Sequence, residues 1–163
     1  MDHPRRKSPR IPGYDYATPN YYFVTICTHD KKCIFGKPDQ LNRYGKYAQE
    51  YLLKIAELNK NVLIDKYVIM PNHVHLIAII TEDDMLREIR ESPLRSRSIL
   101  SKLIGYIKMN ASKAIRQRYG NISVWQRGYF DHAIRNQADY AALAEYIQTN
   151  PLRWELDKLY SEE

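Results

Sequence analysis

Two apolar strands separated by a short turn form the clearest hydrophobic pattern in the chain. Residues 62–70 read VLIDKYVIM and residues 73–80 read HVHLIAII, with Pro71 and Asn72 between them. Because proline cannot continue a strand's hydrogen-bond ladder, this pattern predicts an antiparallel hairpin that turns at Pro71. Apart from His75, the second strand is apolar on both faces from Val74 onward, which is typical of a covered, central strand.

Apolar residues at helical spacing predict three helices, at residues 42–60, at residues 98–119 and between Asn136 and Pro151. Gly120 suits the position just after a helix and ends the second of them. Asn136 is a good N-cap for the third, and Asp139 follows three residues later in a variant of the capping box. Pro151 disfavours a helical conformation at the preceding residue, so the third helix ends there.

Two further stretches have the composition of strands. Residues 21–28 read YYFVTICT, and their aromatic and β-branched side chains predict the first strand. Residues 122–125 and 129–134 predict the remaining strand region, on either side of a Gln-Arg-Gly turn. Strands and helices mixed around an antiparallel hairpin are typical of the α+β class.

Length and charge limit the class of protein. With 163 residues the chain is long enough to bury one core and short for two, so one domain at 1–163 is expected. No apolar run approaches the roughly 20 residues that span a bilayer, and the first residues lack the apolar core of a signal peptide. These features predict a cytoplasmic protein with no membrane association. The net charge of +6 favours polyanionic partners.

Two segments are predicted to lie outside the packed core. Residues 1–12 form a flexible basic arm in which Arg5 and Arg6 are candidates for contact with phosphates. Residues 81–97 carry nine charged side chains and little apolar material, which predicts a mobile surface loop.

Basic and aromatic residues in the second half of the chain suggest a nucleic-acid interface. Lys102, Lys113 and Arg116 lie near one azimuth of the second helix, a stripe that suits a phosphate backbone and is as often merely solvated. Trp125, Arg127 and Tyr129 are candidates for contact with an unpaired base. Core packing is the competing interpretation for the tryptophan.

The histidine pair at the start of the central strand is the first candidate for chemistry. Successive strand residues point to opposite faces, so His73 and His75 present both imidazoles on one face. Two neutral imidazoles side by side make half of a metal site. Such a pair alone is also compatible with two histidines satisfied by hydrogen bonds at the end of a core strand.

Tyr146 in the third helix is the second candidate. It lies roughly 110° around the helix from the centre of the apolar stripe, so the core does not require it. Asn150 lies one turn further on the same side, where its side-chain amide can supply an additional metal ligand. A phenolate next to a divalent cation is a competent nucleophile towards a phosphodiester, and the product is a covalent phosphotyrosine.

Four motifs together resemble a known family, the REP-associated tyrosine transposases, which are single-tyrosine HUH nucleases named for His-hydrophobe-His. They are spread in order over most of the chain: YFVTICT at residues 22–28, MPNHVHLI at 70–77, VWQRGYFDHAIRN at 124–136 and YIQTNPLRW at 146–154.

The resemblance implies a fold, a site and an activity. The fold is a central antiparallel sheet of four to five strands with helices packed on it, similar to palm and RNA-recognition folds. His73, His75 and Asn150 are implied to hold Mg²⁺ or Mn²⁺, and Tyr146 to be the nucleophile. The implied activity is cutting and rejoining of single-stranded DNA in hairpin-forming repeats, with the tyrosine left on the 5′ end. Strand exchange then uses either the released 3′-OH or a second tyrosine from a homodimer.

Two other functions remain open at this point. One is a non-catalytic, repressor-like nucleic-acid-binding module that uses the same basic surface. The other is a metal-dependent hydrolase in which water is the nucleophile and Tyr146 only packs. A covalent protein–DNA adduct separates the transposase from both.

Overall fold

A computed structural model of the chain describes residues 20–81 and 99–161. The strands are β1 (Asn20–Cys27), β2 (Gly36–Lys37), β3 (Gln40–Leu41), β4 (Val62–Met70), β5 (His73–Ile80) and β6 (Phe130–Ile134). The helices are α1 (Arg43–Leu58), α2 (Ile99–Tyr119) and α3 (Gln137–Thr149), with 3-10 segments at His29–Lys31 and Asn150–Leu156. No helix within these two described ranges is both long and apolar enough to cross a membrane.

The main sheet has four antiparallel strands in the order β4-β5-β1-β6. The predicted hairpin is confirmed, since Met70 pairs with His73 across the two-residue turn at Pro71 and Asn72. β5 has a neighbour on both sides, as its unbroken apolar character predicted. The α+β class and the four-stranded antiparallel sheet are therefore confirmed.

The two faces of the sheet are covered unequally. The larger core joins α1 and α2 to the face that carries Val24, Ile26 and Leu76. On the opposite face a smaller cluster joins α3 to the sheet through Ile77, Ile134, Ala144 and Ile147. The histidines project from this second face, because they alternate with Val74 and Leu76 along β5. A single helix leaves part of that face uncovered.

The start of α3 and the end of α2 follow the predicted signals, whereas Asn150 before Pro151 keeps helical angles (φ −54°, ψ −42°) and the chain passes from α3 into the 3-10 segment. The Asn136 side chain accepts a hydrogen bond from the Asp139 N–H, and α3 begins directly after Asn136, at Gln137. The Asp139 carboxylate does not return to the cap residue but accepts from the Arg135 N–H at 3.2 Å. Gly120 follows α2 with φ of 86°, a left-handed conformation that favours glycine.

The strand predicted at residues 122–125 is wrong, and the neighbouring strand begins at Phe130. Only Trp125 in that segment forms a bridge, to Thr28. The Lys108 ammonium donates to the carbonyls of Gln126 and Gly128, and Gly128 has φ of 78°. Pairing with β1 is therefore limited to the single bridge, in which the His29 N–H donates to Val124 O and the Gln126 N–H to Cys27 O, and it is interrupted at residues 126–128 before β6 begins.

One observed element was not predicted, and two predicted segments fall mainly outside the described residues. The short β2–β3 hairpin was not predicted, because two residues a strand are too few to give a periodic signal. The basic arm at 1–12 lies outside the described residues. So does the loop at 81–97 apart from Thr81, whose N–H donates to the Asn61 carbonyl at 2.9 Å.

Candidate metal and tyrosine site

The two histidines form a buried pair at the start of β5. The His73 and His75 side chains are almost completely inaccessible, and their ring centroids lie 4.4 Å apart. Phe23 of β1 stacks on His75 at 5.1 Å, and Trp154 lies 5.9 Å from His73. Aromatic side chains on both sides therefore fix the orientation of the imidazoles.

Hydrogen bonds to Nδ1 determine which histidine nitrogen is available. His73 Nδ1 lies 2.7 Å from Asn72 Oδ1, and the Asn72 amide nitrogen donates to Lys31 O and Leu159 O. Because that amide oxygen can only accept, His73 carries its proton on Nδ1 and leaves the Nε2 lone pair unprotonated. His75 Nδ1 shares a hydrogen bond of 2.8 Å with the Thr25 hydroxyl. Both histidines are thus held in the manner of metal ligands.

Tyr146 and Asn150 are brought to the histidine pair by α3 and by the 3-10 segment that follows it. Tyr146 is 38% exposed, as expected from its place off the buried stripe, and its ring lies 5.2 Å from that of His75. Its hydroxyl donates to Asp157 Oδ2 at 2.9 Å. The Asn150 amide nitrogen donates to the same carboxylate oxygen. Asp157 therefore joins the nucleophile candidate to the ligand candidate.

Several buried atoms at this site lack a protein partner. Within the described ranges, His73 Nε2, His75 Nε2 and Asn150 Oδ1 are buried without a hydrogen bond. One ligand atom from each of His73, His75 and Asp157 lies within 4.8 Å of the others. A buried polar atom without a partner is costly, and two nitrogens with two oxygens are a suitable donor set for a divalent cation. The residues present therefore fit the metal that the resemblance implies.

Burial keeps both histidines neutral and raises the pKa of the tyrosine. Desolvation lowers the pKa of His73 to about 4 and that of His75 to about 3. His73 Nε2 lies 4.0 Å from Asp157 Oδ2, but at neutral pH the two do not form an ion pair because the imidazole is uncharged. Burial, with the hydrogen bond to Asp157, raises the pKa of Tyr146 to about 12. Burial also opposes ionisation of Asp157, but hydrogen bonds from Leu159 N–H, Asn150 and Tyr146 outweigh it and lower the pKa of that carboxyl.

We expect the metal-free protein to lose thermal stability as the pH falls from about 6.5 towards 4. In this window the unfolded chain binds protons at its histidines that native His73 and His75 do not, so stability rises with pH. Calorimetric melting across the window measures the slope. A His75→Gln variant should flatten it. A melting temperature that does not change with pH would show that the imidazoles are not buried in the neutral form.

The predicted DNA contacts that fall within the described ranges lie on α2 or beside it, on the other face of the sheet. Lys102, Lys113 and Arg116 are exposed along α2, and only Arg116 lines the groove between this helix and residues 123–129. Arg127 lines the same groove. Trp125 also lines it, but its ring packs on Phe35 at 5.1 Å against the main core. Arg5 and Arg6 lie outside the described residues, and DNA contact by every candidate stays a prediction.

Sequence reasoning missed Asp157 and Asn72. Asp157 lies beyond Pro151 in a segment with no helical or strand periodicity, so no pattern indicated that its carboxylate returns to the histidines. Asn72 was recognised only as a turn residue. Its place directly before the first histidine was the available signal, because metal-binding histidines commonly have a hydrogen-bond acceptor for the second ring nitrogen.

Comparison with known proteins gives relatives in two organisms. An uncharacterised protein of Haemophilus influenzae is 36% identical over 95% of this chain and 93% of its own length. A second Haemophilus influenzae protein, provisionally named a REP-associated tyrosine transposase, is 26% identical over 85% of this chain and 74% of its own. The REP-associated tyrosine transposase of Escherichia coli is 29% identical over 55% of this chain and 44% of its own. No protein-family model matches the chain.

Solved structures agree on the fold. The structure of a REP-associated tyrosine transposase bound to a REP hairpin has a TM-score of 0.65 at 20% identity and covers 91% of this chain and 77% of that one. A transposase-like protein of Deinococcus radiodurans has a TM-score of 0.50 at 15% identity, over 86% of this chain and 95% of that one. The motifs, the fold and the named relatives agree, and the chain belongs to the family of REP-associated tyrosine transposases.

Proposed function

We propose that this transposase is a metal-dependent endonuclease and strand transferase for single-stranded DNA that forms a covalent 5′-phosphotyrosine through Tyr146. One observation carries the proposal. Buried, unpartnered ligand atoms of His73, His75 and Asn150 lie around Asp157, and this carboxylate binds the half-exposed Tyr146 hydroxyl. A module that only binds nucleic acid has no need of these costly buried atoms.

His73 Nε2, His75 Nε2, Asn150 Oδ1 and Asp157 Oδ2 are the proposed donors for Mg²⁺ or Mn²⁺. When bound, the cation supplies positive charge that neutralises the scissile phosphate and polarises it towards attack. Asn72 and Thr25 hold the two imidazoles in place through Nδ1. The protein thus contributes a fixed set of lone pairs before DNA arrives.

Tyr146 Oη attacks the phosphorus, and the bond from phosphorus to the 3′ oxygen breaks. The phenolic proton leaves through its hydrogen bond of 2.9 Å to the Asp157 carboxylate and passes to water, because this carboxylate is also a proposed metal ligand and does not keep the proton. The departing 3′ oxygen takes a proton from water and becomes a free 3′-OH, while the 5′ phosphate stays on the tyrosine. Attack by a 3′-OH on this phosphotyrosine reverses the step and rejoins DNA. The attacking 3′-OH is the one released at the site or one produced by a second subunit.

Single-stranded, hairpin-forming repeat DNA is the proposed substrate. The REP-associated tyrosine transposase of known structure is bound to a REP hairpin, and a net charge of +6 on the present chain suits a polyanion. Lys102, Lys113 and Arg116 are proposed to contact the phosphate backbone, as are Arg5 and Arg6 of the arm. Trp125 and Arg127 are proposed to contact an unpaired base at the groove.

The test is cleavage of a hairpin with a single-stranded tail in Mg²⁺ and in Mn²⁺, with a blunt duplex of the same sequence as the control. We expect a denaturant-resistant adduct with the tailed hairpin and far less with the duplex, whose stacked backbone holds the phosphate away from Tyr146. Binding should weaken steeply as salt is added, since phosphate contacts release counterions. Equal cleavage of the duplex contradicts the proposal, and cleavage without an adduct indicates water as the nucleophile.

Replacing Asp157 by Asn should weaken metal binding and slow cleavage by about 10-fold to 100-fold. The variant keeps the side-chain shape but removes the charge and the acceptor of the tyrosine proton. Asp65→Asn is a matched control, because Asp65 also accepts a hydrogen bond from a tyrosine of α3, Tyr140, at 2.6 Å. Calorimetric titration with Mn²⁺ and adduct yield measure both effects. Equal behaviour of the two variants would show that Asp157 has no special role.

A further inference from the structure

An exposed phenylalanine lies in line with the histidine site across the sheet. Thr25 of β1 pairs with His75 on one side and with Phe130 of β6 on the other. Residues paired in this way project from the same face, so the Phe130 side chain points to the face that carries the histidines. It is 53% exposed. Strand β1 lies between β5 and β6, so two inter-strand spacings put Phe130 roughly 10 Å from His75.

His132, two residues along the same edge strand, continues this surface. It pairs with Phe23, and Phe23 stacks on His75 and lies 6.1 Å from Tyr146. Asp139 fixes the His132 ring through a hydrogen bond of 2.8 Å. We call Phe130 and His132 the edge platform. Through Phe23, the platform is continuous with the tyrosine and histidine rings.

The same face of β6 changes from covered to open along its length. Ile134 is buried beneath α3, His132 is about half exposed, and Phe130 at the opposite end is open. Exposed Arg135 follows this strand, whereas Arg127, which precedes it, lines the groove on the opposite face. Aromatic side chains on a sheet with flanking positive charge suit unpaired nucleic acid, because bases stack on the rings and arginines bind phosphates.

We propose that the edge platform binds an unpaired base of the single strand next to the phosphate that Tyr146 attacks. This inference rests on the proposed function for the position of that phosphate. Stacking on Phe130 and His132 holds the flanking nucleotide splayed out, so the backbone runs across Phe23 towards Tyr146. Phe130 is then a positioning residue, because it acts by holding the DNA strand and does not touch the reacting atoms. A base in a duplex is already stacked and does not engage the platform.

The test measures binding of a fluorescein-labelled oligothymidine strand to protein that carries Tyr146→Phe, so that cleavage does not interfere. Phe130→Ala should weaken binding about tenfold, the loss expected for one base stack. Phe130→Trp should restore it and Phe130→Leu should not, since leucine is apolar but cannot stack. Leu63→Ala is the matched control, because Leu63 is also 53% exposed, on the edge strand β4 of the same sheet. We expect it to bind like the parent.

Cross-linking tests contact directly. A DNA strand that carries 5-iododeoxyuridine is bound to the Tyr146→Phe protein and irradiated. It should become cross-linked to the peptide that contains Phe130. Cross-links confined to other peptides, or binding by Phe130→Ala within about twofold of the parent, overturn the inference. The inference is also overturned if Phe130→Ala changes the molecular mass measured by light scattering but leaves DNA binding unchanged, because Phe130 is then a contact between two copies of the chain. Thermal melting confirms that each variant is folded.

The two proposals fail in different experiments. If wild-type protein forms no adduct while Phe130→Ala still loses single-strand binding, the proposed function fails and the platform remains as a binding site. If wild-type protein forms the adduct, and Phe130→Ala neither weakens single-strand binding nor lowers the yield of the adduct, the proposed function stands and the edge platform is wrong.

Discussion

Tyr146→Phe should reduce adduct formation by roughly 10⁴-fold or more, in line with the loss of other catalytic nucleophiles. The change removes only the oxygen that donates to Asp157 at 2.9 Å. Since the ring is 38% exposed and lies off the buried stripe of α3, the free energy of unfolding should change by less than about 1 kcal/mol. Denaturing gel electrophoresis of protein with labelled DNA measures the adduct, and binding of DNA and Mn²⁺ should persist.

Tyr140→Phe is the matched control for this experiment. Tyr140 lies on the same helix and also donates to a carboxylate, that of Asp65, at 2.6 Å. It lies away from the histidine pair, so the variant should form the adduct at the wild-type rate. Adduct formation by Tyr146→Phe, or its loss in Tyr140→Phe, would identify a different nucleophile.

His73→Ala and His75→Ala should each lower Mn²⁺ affinity by more than about 100-fold and abolish metal-dependent cleavage. Each variant removes one of two Nε2 lone pairs that have no protein partner in the described part of the chain. Calorimetric titration and the adduct assay measure the two effects separately. His29→Ala is the control, because His29 is about half exposed, pairs with Asp30 and takes no part in the site.

Folding must be checked in these variants, because both histidines are buried. Alanine leaves a cavity against Phe23 or Trp154, while it also removes a buried nitrogen that lacked a partner. A glutamine at either position fills most of the space and should still bind the metal poorly. A folded glutamine variant that cleaves at the wild-type rate would refute the metal site.

Local patterns predicted the parts of the fold that depend on local chemistry. The apolar run after His73 predicted the central place of β5, and Asn136 predicted the start of α3. The position of Tyr146 relative to the helical stripe predicted that its ring is partly exposed, whereas Asn150, one turn further on, is only 2% exposed. These inferences needed only the periods of strand and helix, which are fixed by backbone geometry.

What the sequence did not predict depends on tertiary contacts. Asp157 reaches the histidines through an irregular segment whose path is set by packing and not by periodicity. Residues 122–125 have the composition of a strand, but their pairing with β1 is limited to one bridge at Trp125, after which Lys108 of α2 binds the carbonyls of Gln126 and Gly128. Phe130 is apolar in a strand pattern, and the sequence alone gives no indication that the helix above leaves it open.

The proposed ligands come from parts of the chain with unequal local stability. His73 and His75 lie in a strand paired on both sides, whereas Asn150 and Asp157 lie in and just after a short 3-10 segment. Trp154 of that segment packs on His73, and the residues after it are held by hydrogen bonds from Asn72 to Leu159 O and Ser161 Oγ. Local opening of the segment separates two donors from the other two without disturbing the core. The measured metal affinity therefore includes the free energy of closing this segment, and hydrogen exchange of its amides should slow when the cation binds.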